Sequence, residues 1–332
     1  MTVLVTGGAG FIGSHMVLEL QDLGEKVVVL DDLSTGFRWA VPEGVPLVVG
    51  DFGDEKLLRD VLERYEIDEI IHFAAKTVVP DSVAAPLDYY LSNTAKARTL
   101  LACAVAGGVR RFIFSSTAAV YGDPESNPVA ETATLTPLSP YGRSKLMVEW
   151  MLEDTAKAHG LSYVIFRYFN VAGADSRGRS GQSTSNASHL IKAAVQAALG
   201  VRPRLQIFGA DYPTPDGTCL RDYIQVNDLV WAHMDGLQHL RAGGRSLTCN
   251  CGYGHGFSVL DVIETVKKAS GVDFPTQLTA RRPGDPTAVI ASNERIKSEL
   301  GWTPRYDNLE LIVHQALDWE RRLHNRRVSQ PG

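Results

Sequence analysis

Apolar positions along the chain change their period, and the changes mark out the elements. The runs Val3–Val5, Lys26–Leu30, Leu47–Val49, Glu69–Phe73 and Arg111–Phe114 are too short for helices and predict five strands. Helical periods fall between them: one around Met16–Leu20, one from about Asp54 to Tyr65, and a long one from Leu87 to Ala106. Strand and helix in strict alternation predict right-handed crossovers and a parallel sheet, hence an α/β, doubly wound fold. Beyond Asn170 the pattern loosens. The polar stretch Asp175–Ser188 reads as a substrate loop. Helices at Leu190–Leu199 and from about Asn227 to Leu240, a strand at Leu205–Phe208 and the later helices predict a smaller α/β lobe over the sheet's C-terminal edge. The division expected is 1–171 and 172–332, with segments that can interleave. Trp302, Leu309, Ile312, Ala316, Leu317 and Trp319 are expected to pack, and the end from His324 to fray.

The junction of the first strand and helix carries Thr6-Gly7-Gly8-Ala9-Gly10-Phe11-Ile12-Gly13. Gly7 permits a tight turn, Gly10 lets backbone approach a pyrophosphate, and Gly13 lets the helix lie against the sheet. The second strand ends at Asp31, 18 residues beyond Gly13, where a carboxylate can accept from an adenosine ribose. A Rossmann-type dinucleotide site follows. Asp31 and Asp32 repel a 2'-phosphate, which favours NAD over NADP, with Arg38 the opposing charge. Asp32, Ser34 and Gly36 continue that rim. Asp51-Phe52, Phe73-Ala74-Ala75 and the run from Ser115 to Thr117 lie at strand ends on the same ligand-binding edge. Asp51 either meets the adenine or caps the helix that begins nearby.

Bulk composition narrows the classes. With 332 residues and 44% hydrophobic content the chain can bury a large core. Its net charge of −5, with both signs dispersed, excludes a nucleic-acid footprint and attraction to an anionic membrane. No apolar run approaches the ~20 residues of a membrane span, and no basic leader precedes the first strand. Four cysteines are too few for a disulfide framework in a chain of this length. Reduced thiols and a cytoplasmic location are expected. Cys249-Asn250-Cys251 has the wrong spacing for zinc, and no metal is expected.

Candidate chemistry lies at Ser139-Pro140-Tyr141-Gly142-Arg143-Ser144-Lys145. Ser139 suits an N-cap and Pro140 the first helical position, with Leu146, Met147, Trp150 and Met151 as an apolar stripe behind. Tyr141 and Lys145 then share one helical face. A lysine cation and a helix N-terminus both favour phenolate, so Tyr141 is expected to move protons reversibly. A hydroxyl at Thr117 can bridge it to a substrate alcohol.

Glycine fingerprint, Thr117, Tyr141 and Lys145, in this order, resemble the extended short-chain dehydrogenase/reductase family. The runs Val3–Gly13, Phe112–Gly122, Pro137–Met147, Arg167–Asn170 and Arg221–Ile224 bring the resemblance to its nucleotide-sugar epimerases, over nearly the whole chain. The resemblance implies a retained NAD, a UDP-sugar substrate and inversion at C4 of a UDP-hexose through a 4-keto sugar. It makes Tyr141 the acid/base and puts Lys145 on the nicotinamide ribose, with Asn93, Ser115, Tyr168 and Phe169 also at the cofactor. Asn170, Arg221 and Arg282 fall at the UDP phosphates, Gln206 to Phe208 beside the uracil, and Asp285 on its ribose. Among substrate contacts, His189, followed by Leu190, stands where an asparagine is common. Val289 stands where a bulky tyrosine limits room around the sugar in some members, so a 2-acetamido sugar is an alternative substrate. A UDP-glucuronate epimerase, a dehydratase and a non-catalytic NAD sensor are rival readings. Ala118 and Ala119 after Thr117 lack the acid and base that dehydration needs. A homodimer through Leu87–Ala106 and Tyr141–Ala158 is implied by the same resemblance.

Overall fold

The computed structural model of the chain describes residues 1–184, 189–282 and 284–329. Seven parallel strands form the central sheet: β1 (Thr2–Thr6), β2 (Lys26–Asp31), β3 (Leu47–Val49), β4 (Ile67–His72), β5 (Arg111–Thr117), β6 (Ser162–Tyr168) and β7 (Leu247–Cys251). Their spatial order is β7-β6-β5-β4-β1-β2-β3. The order reverses between β1 and β4, and doubly wound sheets open a ligand crevice at such a point. Alternate side chains feed two cores. Val3, Val5, Ile71, Ile113, Val164 and Phe166 enter one, and Leu4, Ile70, Phe112, Phe114 and Ile165 the other. That two-sided burial is why the strands read as continuous apolar runs.

Helices cover both faces. They are α1 (Phe11–Asp22), α2 (Glu55–Arg64), α3 (Lys96–Ala106), α4 (Pro140–His159), α5 (Leu190–Ala198), α6 (Val226–Arg241), α7 (Val259–Ser270) and α8 (Leu309–Ser329), with shorter helical turns elsewhere. The α6 segment differs from expectation. It packs beneath the sheet and leads into β7, so a stretch from the second half completes the first-half layer. Its Arg241 explains the placement: the guanidinium is paired with Glu25 and with Glu69, which is fully buried at the start of β4, and Glu69 also holds Arg111.

The expected helix from Leu87 is continuous but not uniform. Pro86–Tyr89 is α-helical, Tyr90–Ala95 forms a π turn, and α3 follows. The smaller lobe comprises α5, α7, α8 and short pairings, among them Leu205–Phe208 with Thr276–Thr279, and Leu220–Arg221 with Ala288–Val289. Trp302, Leu309, Ile312, Leu317 and Trp319 are buried as expected, with Ala316 packed against them. The last helix runs through His324 to Ser329 instead of fraying there; residues 330–332 lie outside the described residues.

The described part of the stretch Asp175–Ser188 is tied to α1 and to α8, with Ser180 to Thr184 beside Gly10 and Phe11. Ser180 bonds Ser14, Arg179 pairs with Asp22 and Asp175, and Trp319 Nε1 donates to Ser183. Residues 185–188 lie outside the described residues.

Candidate active site

Glycine geometry builds the first part of the site. Gly7 has φ 71°, and a Cβ there would come within 2.7 Å of the Ala74 nitrogen; at Gly13 one would come within 2.1 Å of the Gly7 oxygen. Strand, turn and helix are therefore as close as backbones without side chains allow. Gly10 differs. A Cβ there meets only the Gly7 oxygen at 3.3 Å, and as N-cap of α1 it supplies no side-chain acceptor for the N–H groups of Phe11, Ile12 and Gly13. The space over Gly10 and those open donors suit a pyrophosphate, so the chain fits the expected dinucleotide.

Asp31 lies 7% exposed at the end of β2, accepting from Ala9 and Leu33 nitrogens, and burial raises its pKa. Asp32 organises the next turn by accepting from the Ser34 nitrogen and hydroxyl, and a Cβ at Gly36 would crowd Asp31. Asp51 does not cap α2; Asp54 does, accepting from Lys56 and Leu57 nitrogens. Asp51 pairs with Lys96 at 2.5 Å and accepts from Gly53; burial would raise its carboxyl, but these contacts hold it below the usual range. Phe52 stacks edge-on to His72, and Phe73 packs on His233. Ala74, followed by Ala75, donates to the Thr6 oxygen beside the glycine turn.

Asn93 is buried within the π turn. Its amide accepts from Lys76 N and donates to Lys76 O and Ser144 Oγ, so it clamps the loop after β4 to the helix that carries Tyr141. Such turns recur where a helix must aim a side chain.

The helix expected at the reactive pair is present. Ser139 Oγ accepts from Gly142 N, Pro140 begins α4, and Gly160 ends it in the left-handed conformation. The stripe behind the pair is only half as expected: Leu146 is buried, whereas Met147 and Trp150 face outward. Lys145 is 2% exposed. Its ammonium donates to Ser115 O at 2.7 Å and lies 4.9 Å from the Phe114 ring centre. Thr117 ends β5 with its hydroxyl accepting from Ala119 N and lying beside Tyr141, whose pKa it lowers. Tyr168 meets the Ser115 hydroxyl, and Phe169 is buried beside it.

Ionisation runs against the expected phenolate. Crowding protein pushes Tyr141 up to about 12, although the residue keeps part of its surface exposed and its contact with Thr117 pulls the other way. Lys145 is lowered by burial to about 7, with Glu149 opposing. Desolvation outweighs the contact with Thr117, so the protein alone presents a neutral phenol.

Substrate candidates gather on the other wall. Asn170 N donates to Asp222 O, and Arg221 follows in the neighbouring pairing, its guanidinium 2.6 Å from Asp285. Arg282 lies 3.6 Å over the Phe208 ring, while Gln206 on the same strand is exposed. His189 precedes α5 as an uncapping, exposed residue, with Leu190 partly buried. Val289 pairs with Arg221 and is buried among Ala118, Leu146 and Phe169, which adjoin Thr117, Lys145 and Asn170 in the chain.

Two side chains to which the sequence assigns no role sit behind this site. Glu149 and Arg167 form a buried pair at 2.6 Å, with Ser116 Oγ donating to Glu149 and Arg167 donating to Tyr121, which bonds Asn250. A charge inside an apolar strand, as at Arg167, is the signal that a buried partner exists. Among the described residues, no cluster of three His, Cys, Asp or Glu side chains could hold a metal ion.

Residues 3–252 match the NAD-dependent epimerase/dehydratase family. The chain is 55% identical to a UDP-glucose 4-epimerase of Azospirillum brasilense, over 99% of this chain and 94% of that one. A UDP-glucose 4-epimerase from Bifidobacterium longum, solved with NAD+ and UDP, superposes with a TM-score of 0.93 at 36% identity, covering 98% and 99% of the two chains. A UDP-Glc/GlcNAc 4-epimerase from Campylobacter jejuni does so with 0.85 at 44% identity, covering 97% and 99%.

Proposed function

This chain belongs to the NAD-dependent epimerase/dehydratase family, and from that premise we propose that it interconverts UDP-galactose and UDP-glucose by inverting C4 through a 4-keto sugar. The observation that carries this is Tyr141 beside Thr117 on the helix whose buried Lys145 is held by the Ser115 carbonyl, at the sheet edge that also holds the glycine turn. NAD+, when bound, supplies the acceptor that takes the C4 hydrogen as hydride and returns it, together with a positive charge. Within this chain, the N–H groups over Gly10 and the Asp31 rim bind it. Thr117 orients the sugar O4, and Tyr141 removes and restores its proton. A phenol near pKa 12 becomes a competent base only beside positive charge, which couples proton transfer to a filled cofactor site. Arg221 and Arg282 hold the pyrophosphate while the keto sugar turns to present its other face. Purified protein is expected to convert UDP-galactose into UDP-glucose with no NAD added. No product until NAD is supplied would refute retention, and no product even then would refute the reading.

Val289 favours a second substrate. Val289 is a small side chain buried with Ala118, Leu146 and Phe169 beside the reactive pair, and a solved relative of 44% identity is named a UDP-Glc/GlcNAc 4-epimerase. Turnover of UDP-N-acetylglucosamine is expected, and Val289→Tyr should remove it while sparing UDP-galactose. A wild-type rate at background would end this second reading.

The assembly proposed is a homodimer. Leu87 is 79% and Trp150 53% exposed, with Leu91 and Met147 on the same outer helices, an apolar face of the kind that partners cover. Light scattering should give about twice 36.2 kDa; a monomer mass would exclude it. Among the described residues no helix is long and apolar enough to cross a membrane. All four cysteines are buried and free, which suits a reducing compartment, and the cytoplasm is proposed on that ground.

A further inference from the structure

Beneath the reactive pair, one carboxylate on α4 touches both β5 and β6. Glu149 lies one turn beyond Lys145 on α4, 1% exposed. It accepts from Ser116 Oγ and from Arg167 Nε and Nη2. Ser116 is flanked by Ser115, whose carbonyl holds the Lys145 ammonium, and by Thr117, whose hydroxyl meets Tyr141. Arg167 precedes Tyr168, which meets the Ser115 hydroxyl, and reaches Tyr121 in the turn after Thr117.

We propose that Glu149 is a positioning residue of the active site, tying the end of β5 between Ser115 and Thr117 to α4 and β6 and placing a buried carboxylate one helical turn from Lys145. The proposal rests on the epimerase reading for its kinetic consequence only. Other groups facing Lys145 do not substitute for that charge. Tyr141 on the same helix and Tyr168 on β6 are held neutral, both pushed up by burial. His72 on β4 is neutral, lowered to about 3 by burial and by Lys145 itself. From β5, Phe114 offers a ring and Ser115 a carbonyl. Arg167 lies on the far side of Glu149 and carries the opposite sign.

Sign follows from geometry. Burial already brings Lys145 down to about 7, and Glu149 resists the fall. Removing the carboxylate lets the ammonium lose its proton at lower pH, so any step needing the cation fails at lower pH too. Two variants separate charge from folding. Glu149→Gln keeps the shape but strands Arg167; Glu149→Gln with Arg167→Met leaves no unpaired charge. The titration of Lys145 is followed by NMR of ε-carbon-labelled lysine in the purified protein, assigned with Lys145→Arg, and the pH profile of UDP-galactose turnover is measured beside it.

The Lys145 midpoint is expected to fall by about one unit or more in the double variant, which is a tenfold change in its proton affinity. The alkaline limb of turnover should move with it, at unchanged KM for the sugar nucleotide. A folded double variant whose Lys145 midpoint and alkaline limb both match wild type overturns the proposal. A shifted midpoint in a protein whose wild type turns over no UDP-sugar upholds Glu149 and refutes the epimerase reading instead.

Discussion

Tyr141→Phe should lower turnover of UDP-galactose by about 10³-fold or more, within the upper range of positioned acid–base catalysis, while the variant stays folded and keeps its NAD. The substitution removes one oxygen from a residue that spans no core. Cofactor retention rests elsewhere, on the donors over Gly10 and on the rim from Asp31 to Gly36. What disappears is the phenol that lies beside Thr117 at the end of β5. Thr117 cannot replace it, because an aliphatic hydroxyl is a far weaker acid than even a phenol pushed up to about 12. Sugar-nucleotide affinity should change little, since Arg221 and Arg282 stand on the opposite wall. Turnover within tenfold of wild type would remove Tyr141 from the role of base.

Glu69→Ala should cost about 3 kcal/mol of stability, the low end for breaking a buried ion pair, and leave the specific activity of the folded enzyme intact. Glu69 is fully buried at the start of β4, the sheet edge opposite the active site, where it accepts from both Arg241 and Arg111. Without it the Arg241 guanidinium keeps Glu25 but loses its partner inside the sheet, and α6 loses the tie that holds it beneath β4. Glu69→Gln retains an acceptor and should cost less. Urea denaturation of the three proteins decides the matter. Equal stability of Glu69→Ala and wild type would show that α6 is held by apolar packing alone.

Local chemistry made much of the site legible. Short apolar runs located β1 to β5 because a parallel sheet covered on both faces leaves no polar alternation. Gly7 and Gly13 occupy positions where the backbone approach excludes a Cβ, and Ser139 and Pro140 begin α4 where their capping chemistry places them. Legibility stopped where long-range contacts decide. The strand β7 carries Asn250, a polar residue that belongs in the interior only because Tyr121 and the Val129 carbonyl bond it. The π turn at Tyr90–Ala95 keeps a helical pattern, and its purpose appears only through the Asn93 bonds to Lys76 and Ser144. Arg177 and Arg179 give no sign in the sequence of their ion pairs with Asp22 and Asp175. Phenolate at Tyr141 meets the same boundary: the sequence shows the neighbouring charge, whereas burial, which pushes the phenol up, is a property of the fold.

On the proposed mechanism C4 loses and regains its own hydrogen inside the cleft while Tyr141 exchanges only the hydroxyl proton. UDP-galactose carrying deuterium at C4, turned over in ordinary water, tests it directly. Retention of deuterium at C4 of the UDP-glucose formed is the result expected, and replacement by solvent hydrogen would contradict it.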